Sequence, residues 1–378
     1  MDYENSQKYI KEGIAKVIMR RIAIISSYAW IKVANNYGAL LQYYALQQYL
    51  NHKGCYAFWI RFELYNTSLK NMIVGSFKKL LKAPLVYLYT CRCHRTFMRF
   101  CSDYLNMSEQ TFSINSDNRS YPMADYYITG SDQVWGGCQP EYFLSFVSDN
   151  SKKIAYAASF GKDEITQEHL DIITPWLRQF AKVSVREDKG VEICRRMEVE
   201  AYHLLDPTLL IDEDAYPHKE RIFSRPYIFA YLLNLKSKED IRWNELKEFS
   251  TSCNYELKLC AVQGTQYLFN HCDLVYPDPI EWLTMYKYSR CIVTNTFHGT
   301  IFAIIHRKPF LCILQNGVSA NQNVRMKSLL NILGLEERIL GHHDSIKDAM
   351  ERPIDWGNVF SKLELWRLKT DTFFSFLS

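Results

Sequence analysis

The sequence predicts an α/β fold with two Rossmann-like domains that face each other across a cleft. Short, uncharged runs rich in β-branched residues alternate along the chain with segments of helical period. Polar clusters stand directly after several apolar runs, and a charged segment with two prolines interrupts the alternation in the middle of the chain. Alternating strands and helices are typical of parallel sheets covered by helices, and ligands bind at the carboxyl ends of such strands.

The first domain is predicted to span residues 22–215, after a lead-in of residues 1–21 whose charged sequence suits a helix or a tail. The run IAIISSY, from Ile22, predicts a buried strand. After the turn NNYG, the segment ALLQYYALQQYLNHKG places Leu41 and Tyr44 one helical turn apart and ends in a glycine. CYAFWIRF predicts the next strand, so the domain opens as a parallel strand-helix-strand unit.

Residues 70–99 form a basic segment without acidic side chains. Its cations are Lys70, Lys78, Lys79, Lys82, Arg92, Arg95 and Arg99. They alternate with apolar and aromatic residues, a pattern that favours helices with a solvated basic face. The alternative is a surface that rests on anionic lipid or meets a lipid-linked acceptor, so peripheral membrane contact through residues 70–99 stays open.

The rest of the first domain continues the alternation. ADYYITGSDQVW and KKIAYAASFG each predict a strand that ends in a polar turn with glycine. DEITQEHLDIITPWLRQFAKV predicts a helix, because its acidic residues come early and its basic residues late. VSVRE is a predicted strand tip, GVEICRRMEVE is a predicted helix, and HLLDPTLLI closes the domain.

The second domain is predicted to span residues 216–378, with the boundary between about Leu210 and Arg225. Its predicted strands are YIFAYLL, ELKLCAV, CIVT and FLCIL, and its helices include SKEDIRWNELKEFS, PIEWLTMYKYS and the segment after FHG. Packing of the last helix back onto the first domain is a further expectation. Two such domains around a cleft resemble the glycosyltransferase-B (GT-B) architecture, which by itself does not give a function.

Composition excludes several classes of function. A net charge of +4 and the absence of any nucleic-acid-binding signature argue against nucleic acid as a partner. The sequence has no Gly-x-Gly-x-x-Gly, Walker A or Gly-x-Ser-x-Gly motif. Its 11 cysteines include no Cys-x-x-Cys pair and no secretory signal peptide precedes them, so we expect free thiols in the cytoplasm. The acidic triplet Asp212–Asp214 could bind a metal, but its charged surroundings favour a surface linker.

His298 stands between the predicted strand CIVT and the helix that follows it. Unused backbone N–H groups and the helix dipole make such a helix N-terminus an anion site, and Gly299 leaves the backbone open to a ligand. A bound anion favours the imidazolium, which is a good proton donor. The alternative, equally supported by local features, is a histidine that only caps the helix.

Three other turns carry candidate site residues. Arg186 in SVRE is either a clamp for phosphate or carboxylate, or half of a structural ion pair with Glu187. Ser131 and Asp132 in GSDQVW could contact a sugar, and the loop that contains Asn36 could contact a ligand or only turn the chain.

The motifs NNYGALLQYYAL, ITGSDQVW, YAASFG, SVRED, LLDPTLL, TNTFHGTIFAIIHRKPF and NVRMKSLLNILGL, in this order and spacing, resemble the polysaccharide pyruvyl transferase family. The resemblance runs from about Ile22 to Leu335 and includes both domains. Gly136 stands where the family commonly has asparagine, and Thr296 where serine is usual. Neither departure removes a charged or proton-transferring group.

The resemblance implies transfer of a pyruvyl group from phosphoenolpyruvate to two hydroxyls of a sugar in a polysaccharide or its precursor, forming a cyclic ketal and releasing phosphate. The implied catalytic residues are His298, Asp132 and Arg186. His298 would protonate the methylene carbon or the departing phosphate, and Asp132 would hold an acceptor hydroxyl or take its proton, with Glu187 as the alternative base. The implied donor-binding residues are Arg186, Asn295, His298, Gly299, Thr300 and Arg325. The implied acceptor-binding residues are Asn36, Gly38, Ser131, Asp132, Gln133 and Glu187.

No cofactor or metal is required by this scheme, because arginine and a helix terminus supply the positive charge. The expected location is the cytoplasm, with the inner face of the membrane as an alternative if the acceptor is lipid-linked. Two other functions stay open: a nucleotide-sugar-dependent glycosyltransferase of GT-B architecture, and a non-catalytic carbohydrate-binding relative.

Overall fold

The computed structural model describes residues 19–27, 36–63, 84–113, 116–117, 120–162, 164–262, 268–270, 272–317, 320 and 323–377. These residues form two parallel β-sheets, each flanked by helices. Most of the lead-in, residues 1–18, and residues 70–83 of the basic segment lie outside the described residues.

The first sheet has the strand order β3-β2-β1-β4-β5-β6-β7. Its strands are β1 (Arg21–Ile25), β2 (Tyr56–Glu63), β3 (Met107–Ser113), β4 (Tyr126–Thr129), β5 (Lys153–Ala158), β6 (Lys182–Val185) and β7 (Tyr202–His203). Every pairing is parallel, as in the register Ile24↔Trp59 between β1 and β2. The order reverses between β1 and β4, where a doubly wound sheet opens a crevice.

The second sheet has the order β10-β9-β8-β11-β12 and is also parallel. Its strands are β8 (Tyr227–Tyr231), β9 (Glu256–Cys260), β10 (Leu274–Val275), β11 (Cys291–Thr294) and β12 (Phe310–Cys312). Its reversal lies between β8 and β11. The sequence-based boundary between residues 215 and 216 stays a prediction, and the two sheets lie on either side of it.

Helices cover the sheets and are numbered here in chain order. They are α1 (Tyr37–His52), α2 (Pro84–Tyr104), α3 (Gln167–Leu177), α4 (Asp188–Arg196), α5 (Trp243–Ser252), α6 (Pro279–Tyr288), α7 (Phe297–Ile305), α8 (Asn323–Leu333), α9 (Ile346–Glu351) and α10 (Trp356–Phe373). Side-chain caps begin several of them, such as Asn36, whose Oδ1 accepts from the Ala39 N–H at 3.2 Å.

Three strands were not predicted from the sequence, and one of them, β7, has only two residues at an edge of the first sheet. Strand β3, MSEQTFS, is polar and mostly solvent-accessible, because it lies at the edge of the first sheet and pairs only with β2. Strand β10 is a two-residue edge strand that pairs only with β9. Edge strands bury less side-chain surface than central ones, so none of the three produces the apolar run by which a strand is recognised.

Aromatic packing joins helix α1 of the first sheet to the second sheet. The Tyr37 ring stacks on Trp282 with centroids 5.1 Å apart, and its hydroxyl donates to the Pro277 carbonyl at 2.7 Å. The Tyr44 hydroxyl donates to the Ala215 carbonyl at 2.6 Å. These contacts hold the amino-terminal end of α1 beside the carboxyl ends of the second sheet's strands.

The last helix, α10, lies against the first sheet's half of the chain. Arg367 donates to the Leu209 carbonyl at 2.8 Å, and Asp371 accepts from the Tyr49 hydroxyl at 2.6 Å. Lys53 pairs with the same carboxylate at 2.7 Å. The helix therefore crosses back over the segment between the two sheets.

The described part of the basic segment is helix α2. Its cations Arg92, Arg95 and Arg99 are exposed, while Cys93 and Phe97 are buried. Membrane contact through residues 70–99 stays a prediction. Among the described residues, no helix combines the length and the apolar character that crossing a bilayer requires.

Candidate active site

A cavity of about 340 Å³ lies where the carboxyl ends of the two sheets meet. Its described lining is Ser27, Asn36, Gly38, Asp132, Gln133, Tyr231, Leu233, Asn234, Thr296, Phe297, His298, Gln315 and Arg325. These residues follow β1, β4, β8, β11 and β12 or begin α1, α7 and α8. The cavity thus occupies the place where open parallel sheets bind ligands, and its volume suits a small-molecule site.

His298 lies in the first turn of helix α7, on the wall of the cavity. Thr296 is the N-cap, and its Oγ1 accepts from the Gly299 N–H at 2.9 Å. This cap uses the third N–H of the helix and leaves those of Phe297 and His298, two residues that line the cavity, without an intrahelical partner. The helix N-terminus is therefore available to an anion, but not through the backbone of Gly299.

Asp206 lies behind His298 and was not predicted as a site residue. Its Oδ2 is 3.6 Å from His298 Nε2, and its side chain is inaccessible to solvent. Oδ1 accepts from the Thr208 hydroxyl at 2.6 Å and from the Thr208 N–H at 3.0 Å, which fixes the carboxylate. An aspartate held in this way orients an imidazole and stabilises its protonated form.

The Arg186 guanidinium is fully buried among three carboxylates. It lies 2.9 Å from Asp206 Oδ2, 3.2 Å from Asp132 Oδ1 and 3.2 Å from Glu187 Oε1. The guanidinium nitrogens are occupied by these carboxylates, and Arg186 does not line the cavity. The structure therefore corrects the expectation that Arg186 binds the phosphoenolpyruvate donor directly. The ion pair with Glu187, the alternative considered from the sequence, is present.

Two residues of the GSDQVW turn have different positions. Asp132 lines the cavity with a φ of 83°, a conformation that residues other than glycine rarely adopt. Ser131 is fully buried, and its hydroxyl donates to Asp206 Oδ2 at 3.0 Å. Ser131 thus supports the carboxylate behind His298 and does not reach the cavity, which corrects its expected place among the acceptor-binding residues.

The charges in this cluster shift one another's pKa values. Burial alone would raise the pKa of Asp206, but the imidazole of His298 and the guanidinium of Arg186 hold it well below its usual range. Burial also opposes ionisation of Asp132, whose pKa is nevertheless lowered by Arg186 and Arg325. For Glu187, burial outweighs Arg186 and raises the pKa. Asp206 and Asp132 are therefore the stable anions of the cluster.

Three predicted donor-binding residues make internal contacts instead. The Asn295 side chain bridges the Leu233 N–H and carbonyl at 2.8 and 2.7 Å. Thr300 is fully buried and donates to the Thr296 carbonyl at 3.0 Å, while Gly299 is enclosed by the hydroxyls of Thr294 and Thr296. None of the three lines the cavity, because their polar groups hold strand β11 and helix α7 in place.

Arg325 is the cation of the described cavity wall. It lies in the first turn of α8, half-buried, with its guanidinium 5.6 Å from the centroid of the Phe297 ring. Burial and the positive charge of Arg186 lower the pKa of Arg325 to about 10, which still leaves it charged at neutral pH. Asn36 and Gln133 also line the cavity, whereas Glu187 is buried behind it, 2.7 Å from the Ser159 hydroxyl.

Besides Asp206, which lies behind the cavity wall, three residues of the wall itself were not predicted. Tyr231 ends strand β8, Asn234 and Gln315 follow strands of the second sheet, and all three line the cavity. Asp206 had a signal in the sequence, because it stands in the quoted motif LLDPTLL, between strand β7 and the turn Pro207–Leu209. The other three had none, since they lie in stretches with no distinctive spacing.

Gly38, the second residue of α1, approaches the His298 imidazole so closely that a Cβ at this position would overlap the ring. We expect Gly38→Ala to displace the imidazole and to lower the rate of the catalysed reaction by about 100-fold, the effect of a shift of about 1 Å. Steady-state kinetics with purified variants measures this.

The control for Gly38→Ala is Gly54→Ala. Gly54 has a φ of 79° and open space around it, so alanine there introduces backbone strain far from the cavity. It should lower the unfolding temperature and leave the rate unchanged. Equal rates for Gly38→Ala and the wild type would show that the position of the imidazole does not matter.

Comparisons with known proteins agree with this picture. A family model described as polysaccharide pyruvyl transferase matches residues 36–316. No curated protein matches the chain. The match includes α1, the GSDQVW and SVRE turns, Asp206 and His298, and it extends over more than half of the chain.

Solved structures show the same fold. UDP-N-acetylglucosamine 2-epimerase from Rickettsia bellii shares 9% identity with this chain at a TM-score of 0.51, over 95% of this chain and 97% of that chain. A Listeria monocytogenes protein assigned as a UDP-N-acetylglucosamine 2-epimerase shares 9% identity at a TM-score of 0.50, over 94% of this chain and 97% of that chain. At such identity the likeness concerns the fold alone.

These neighbours confirm the predicted fold class, two α/β domains in the GT-B arrangement. The family match confirms the resemblance drawn from the motifs. The chain belongs to the polysaccharide pyruvyl transferase family.

Proposed function

We propose that the protein transfers a pyruvyl group from phosphoenolpyruvate to two hydroxyls of one sugar, forming a pyruvate ketal and releasing phosphate. The observation that carries the proposal is the pair of His298 and Asp206, whose Nε2 and Oδ2 atoms are 3.6 Å apart. His298 lies in the first turn of α7 and lines the cavity, and Arg325 lines the same cavity. The family match supports a transferase that acts in polysaccharide biosynthesis.

The cavity's positive groups suit the charge of the donor. Phosphoenolpyruvate carries a phosphate and a carboxylate, and a guanidinium binds either group through paired hydrogen bonds. Arg325 is the positively charged side chain on the described cavity wall, and the first N–H groups of α7 add a second anion site. This arrangement supports Arg325 and His298 as donor-binding residues, with the Phe297 and His298 N–H groups in the place first given to Gly299 and Thr300.

The proposed reaction needs an acid beside the donor. His298 gives a proton to the methylene carbon, and the neighbouring carbon then forms a bond with the oxygen of the first hydroxyl, which loses its proton to Asp132. The bond from that carbon to the phosphate oxygen breaks, and phosphate leaves. The second hydroxyl bonds to the same carbon and closes the ketal, and its proton goes to the released phosphate. Asp132 returns the first hydroxyl's proton to His298 through solvent, so atoms and charges balance.

Asp206 acts on this chemistry through His298. With Nε2 directed at the Asp206 carboxylate, Nδ1 is left as the nitrogen that delivers the proton. Arg186 forms ion pairs with both Asp206 and Asp132. It therefore fixes the carboxylate beside the acid, His298, relative to the proposed base, Asp132. Both residues are positioning residues, because neither Asp206 nor Arg186 lines the cavity.

The acceptor sugar is proposed to bind beside Asp132. Asn36 and Gln133 offer amide groups there, and the aromatic residues Tyr231 and Phe297 also line the cavity. Asp132 is an anion in the cluster and can accept a hydroxyl proton. No cofactor or metal enters this scheme, since Arg325 and the helix N-terminus supply the positive charge.

A cytoplasmic location is part of the proposal. All 11 cysteines are free thiols, and burial raises the pKa of several of them, such as Cys260 and Cys312. Free thiols suit a reducing compartment. Incubation with free, nucleotide-linked and lipid-linked glycans distinguishes the possible forms of the acceptor sugar.

We expect Arg325→Ala to raise the KM for phosphoenolpyruvate by about 10- to 100-fold, because the substitution removes a hydrogen-bonded charge pair between the guanidinium and the donor. Arg325→Lys should recover part of the affinity, because an ammonium keeps the charge but not the fork. Kinetics at varied donor concentration and the thermal shift produced by phosphoenolpyruvate measure both variants.

Lys327→Ala is the matched control for Arg325, because it removes one positive charge from the exposed side of the same helix. It should leave the KM unchanged. A donor KM that does not change in Arg325→Ala would remove Arg325 from the donor site. Stabilisation by a nucleotide sugar, and none by phosphoenolpyruvate, would favour a glycosyltransferase.

A further inference from the structure

A second cluster of ligand-type side chains lies away from the cavity, where the segment between the two sheets meets the far end of α7. Glu213 stands in the turn Glu213–Ala215, His218 follows in the same segment, and His306 is the C-cap residue directly after α7. One ligand atom of each lies within 4.8 Å of the other two. Glu213 Oε1 is 3.2 Å from His306 Nδ1, and the two imidazoles meet edge to face with centroids 5.3 Å apart.

Two imidazole nitrogens of this cluster, one on His306 and one on His218, lack hydrogen-bond partners within the described chain. His306 is 4% exposed; its Nδ1 faces the Glu213 carboxylate, but its Nε2 makes no hydrogen bond within the described chain. The Nε2 of His218 is buried and without one as well, while the Tyr216 backbone hydrogen-bonds with the His218 ring. Buried polar atoms are almost always satisfied, so two unsatisfied imidazole nitrogens beside a carboxylate indicate a missing ligand.

We propose that Glu213, His218 and His306 bind one divalent transition-metal ion of the zinc class. Two imidazole nitrogens and one carboxylate oxygen are a donor set that zinc uses with a water in the fourth position. The Tyr216 contact fixes one side of the His218 ring, as a second partner commonly does for ligating histidines. Glu213 is partly exposed, so its side chain can close the remaining distance and solvent can supply the water.

Lys287 competes with the ion for Glu213. Its Nζ lies 3.3 Å from Glu213 Oε1 and 3.9 Å from Asp214 Oδ1. The Asp214 side chain is 97% exposed, so it can take over the ammonium when a metal ion binds Glu213. Removal of the Lys287 charge should therefore strengthen metal binding, an effect that a non-specific surface site would not show.

The ion would connect two parts of the chain that are distant in sequence. It would tie the segment between the sheets to the carboxyl end of α7, whose other end carries His298. Eight residues separate His306 from His298, which is about 12 Å along a helix axis, so the ion does not reach the reacting atoms. Its role is to fix helix α7 against the segment that joins the two halves.

The test uses the full chain, freed of metal with a chelator and titrated with Zn²⁺ against a chromophoric competitor. The wild type should bind one equivalent tightly and show a higher unfolding temperature with Zn²⁺. His218→Ala and Glu213→Gln should each raise the dissociation constant by more than about 10-fold. Lys287→Met should lower it.

His342→Ala combined with His343→Ala is the control, because it removes an adjacent pair of exposed histidines elsewhere on the surface. It should leave zinc binding unchanged. Glu213→Gln changes a partly exposed side chain and keeps its shape, so it tests the site even if His218→Ala does not fold. Wild-type affinity in Glu213→Gln, or loss of binding in the histidine-pair control, would overturn the proposal.

Discussion

Replacement of His298 by glutamine is expected to lower the rate of phosphate release from phosphoenolpyruvate by about 10²- to 10⁴-fold, the usual contribution of a positioned general acid. Glutamine keeps much of the side-chain volume beside Gly38 but has no proton to give at neutral pH. Because the acid acts on the chemical step, kcat should fall far more than the KM for the donor rises. The assay follows phosphate with a sugar acceptor present.

His52→Gln is the control for His298→Gln. His52 is the last residue of α1 and is exposed, so the same substitution there changes no cavity contact. Its rate should equal that of the wild type. Turnover of His298→Gln within a few-fold of the wild type would exclude the acid role and leave His298 as a helix-terminal residue.

Asp206→Asn should have the second-largest effect, on stability as well as on rate. The substitution keeps the shape of the side chain but leaves Arg186 with one carboxylate fewer and His298 Nε2 without its counter-charge. Removing one partner of a buried ion pair costs about 3–5 kcal/mol of unfolding free energy. The rate should also fall, because the His298 ring loses the carboxylate that orients it.

The pH dependence of stability distinguishes this account further. In the folded protein the pKa of Asp206 lies below its unfolded value of about 3.9, so its contribution is present above that pH and is lost as the pH falls through the folded pKa. The wild type should therefore lose unfolding free energy below about pH 4 more steeply than Asp206→Asn. Urea unfolding at a series of pH values measures the difference.

Glu187→Gln is the matched control for Asp206→Asn. Both substitutions remove a carboxylate from Arg186, but Glu187 has no contact with His298 and its pKa is raised by burial. We expect a smaller loss of stability and an unchanged pH profile of the rate. A pH-rate profile that shifts equally in both variants would show that Asp206 acts through the general charge of the cluster and not through His298.

The sheet centres could be predicted from the sequence, and the edges could not. Strands such as CIVT and KKIAYAASFG are buried on both faces and read as continuous apolar runs. Strand β3 is polar because it is an edge strand, and β10 is too short to form a pattern. Helix α7 was also predictable, since an apolar segment follows the polar turn before it.

Within the site, the sequence could indicate which turns meet but not which atoms face the cavity. His298, Asp132, Gly38 and Arg325 were predicted and line it. Arg186 was predicted as a clamp, but whether an arginine beside a glutamate binds a ligand or carboxylates depends on residues far along the chain, such as Asp206.

Helix-terminal positions were mistaken for the same reason. The sequence places Gly299 and Thr300 at a helix N-terminus, where N–H groups are usually unused. Only the geometry shows that Thr296 already accepts the Gly299 N–H, and that Thr300 bonds to the turn before it. A capping side chain and a bound anion compete for the same donors, and spacing alone does not distinguish them.

The most direct test of pyruvyl transfer uses phosphoenolpyruvate labelled with ¹³C in its three-carbon unit. The protein is incubated with this donor and a panel of free, nucleotide-linked and lipid-linked glycans, and the products are weighed by mass spectrometry. The account predicts that the labelled carbons enter one class of glycan as a ketal in the wild type and not in His298→Gln. Transfer of a sugar from a nucleotide sugar, with no label entering any glycan, would contradict it.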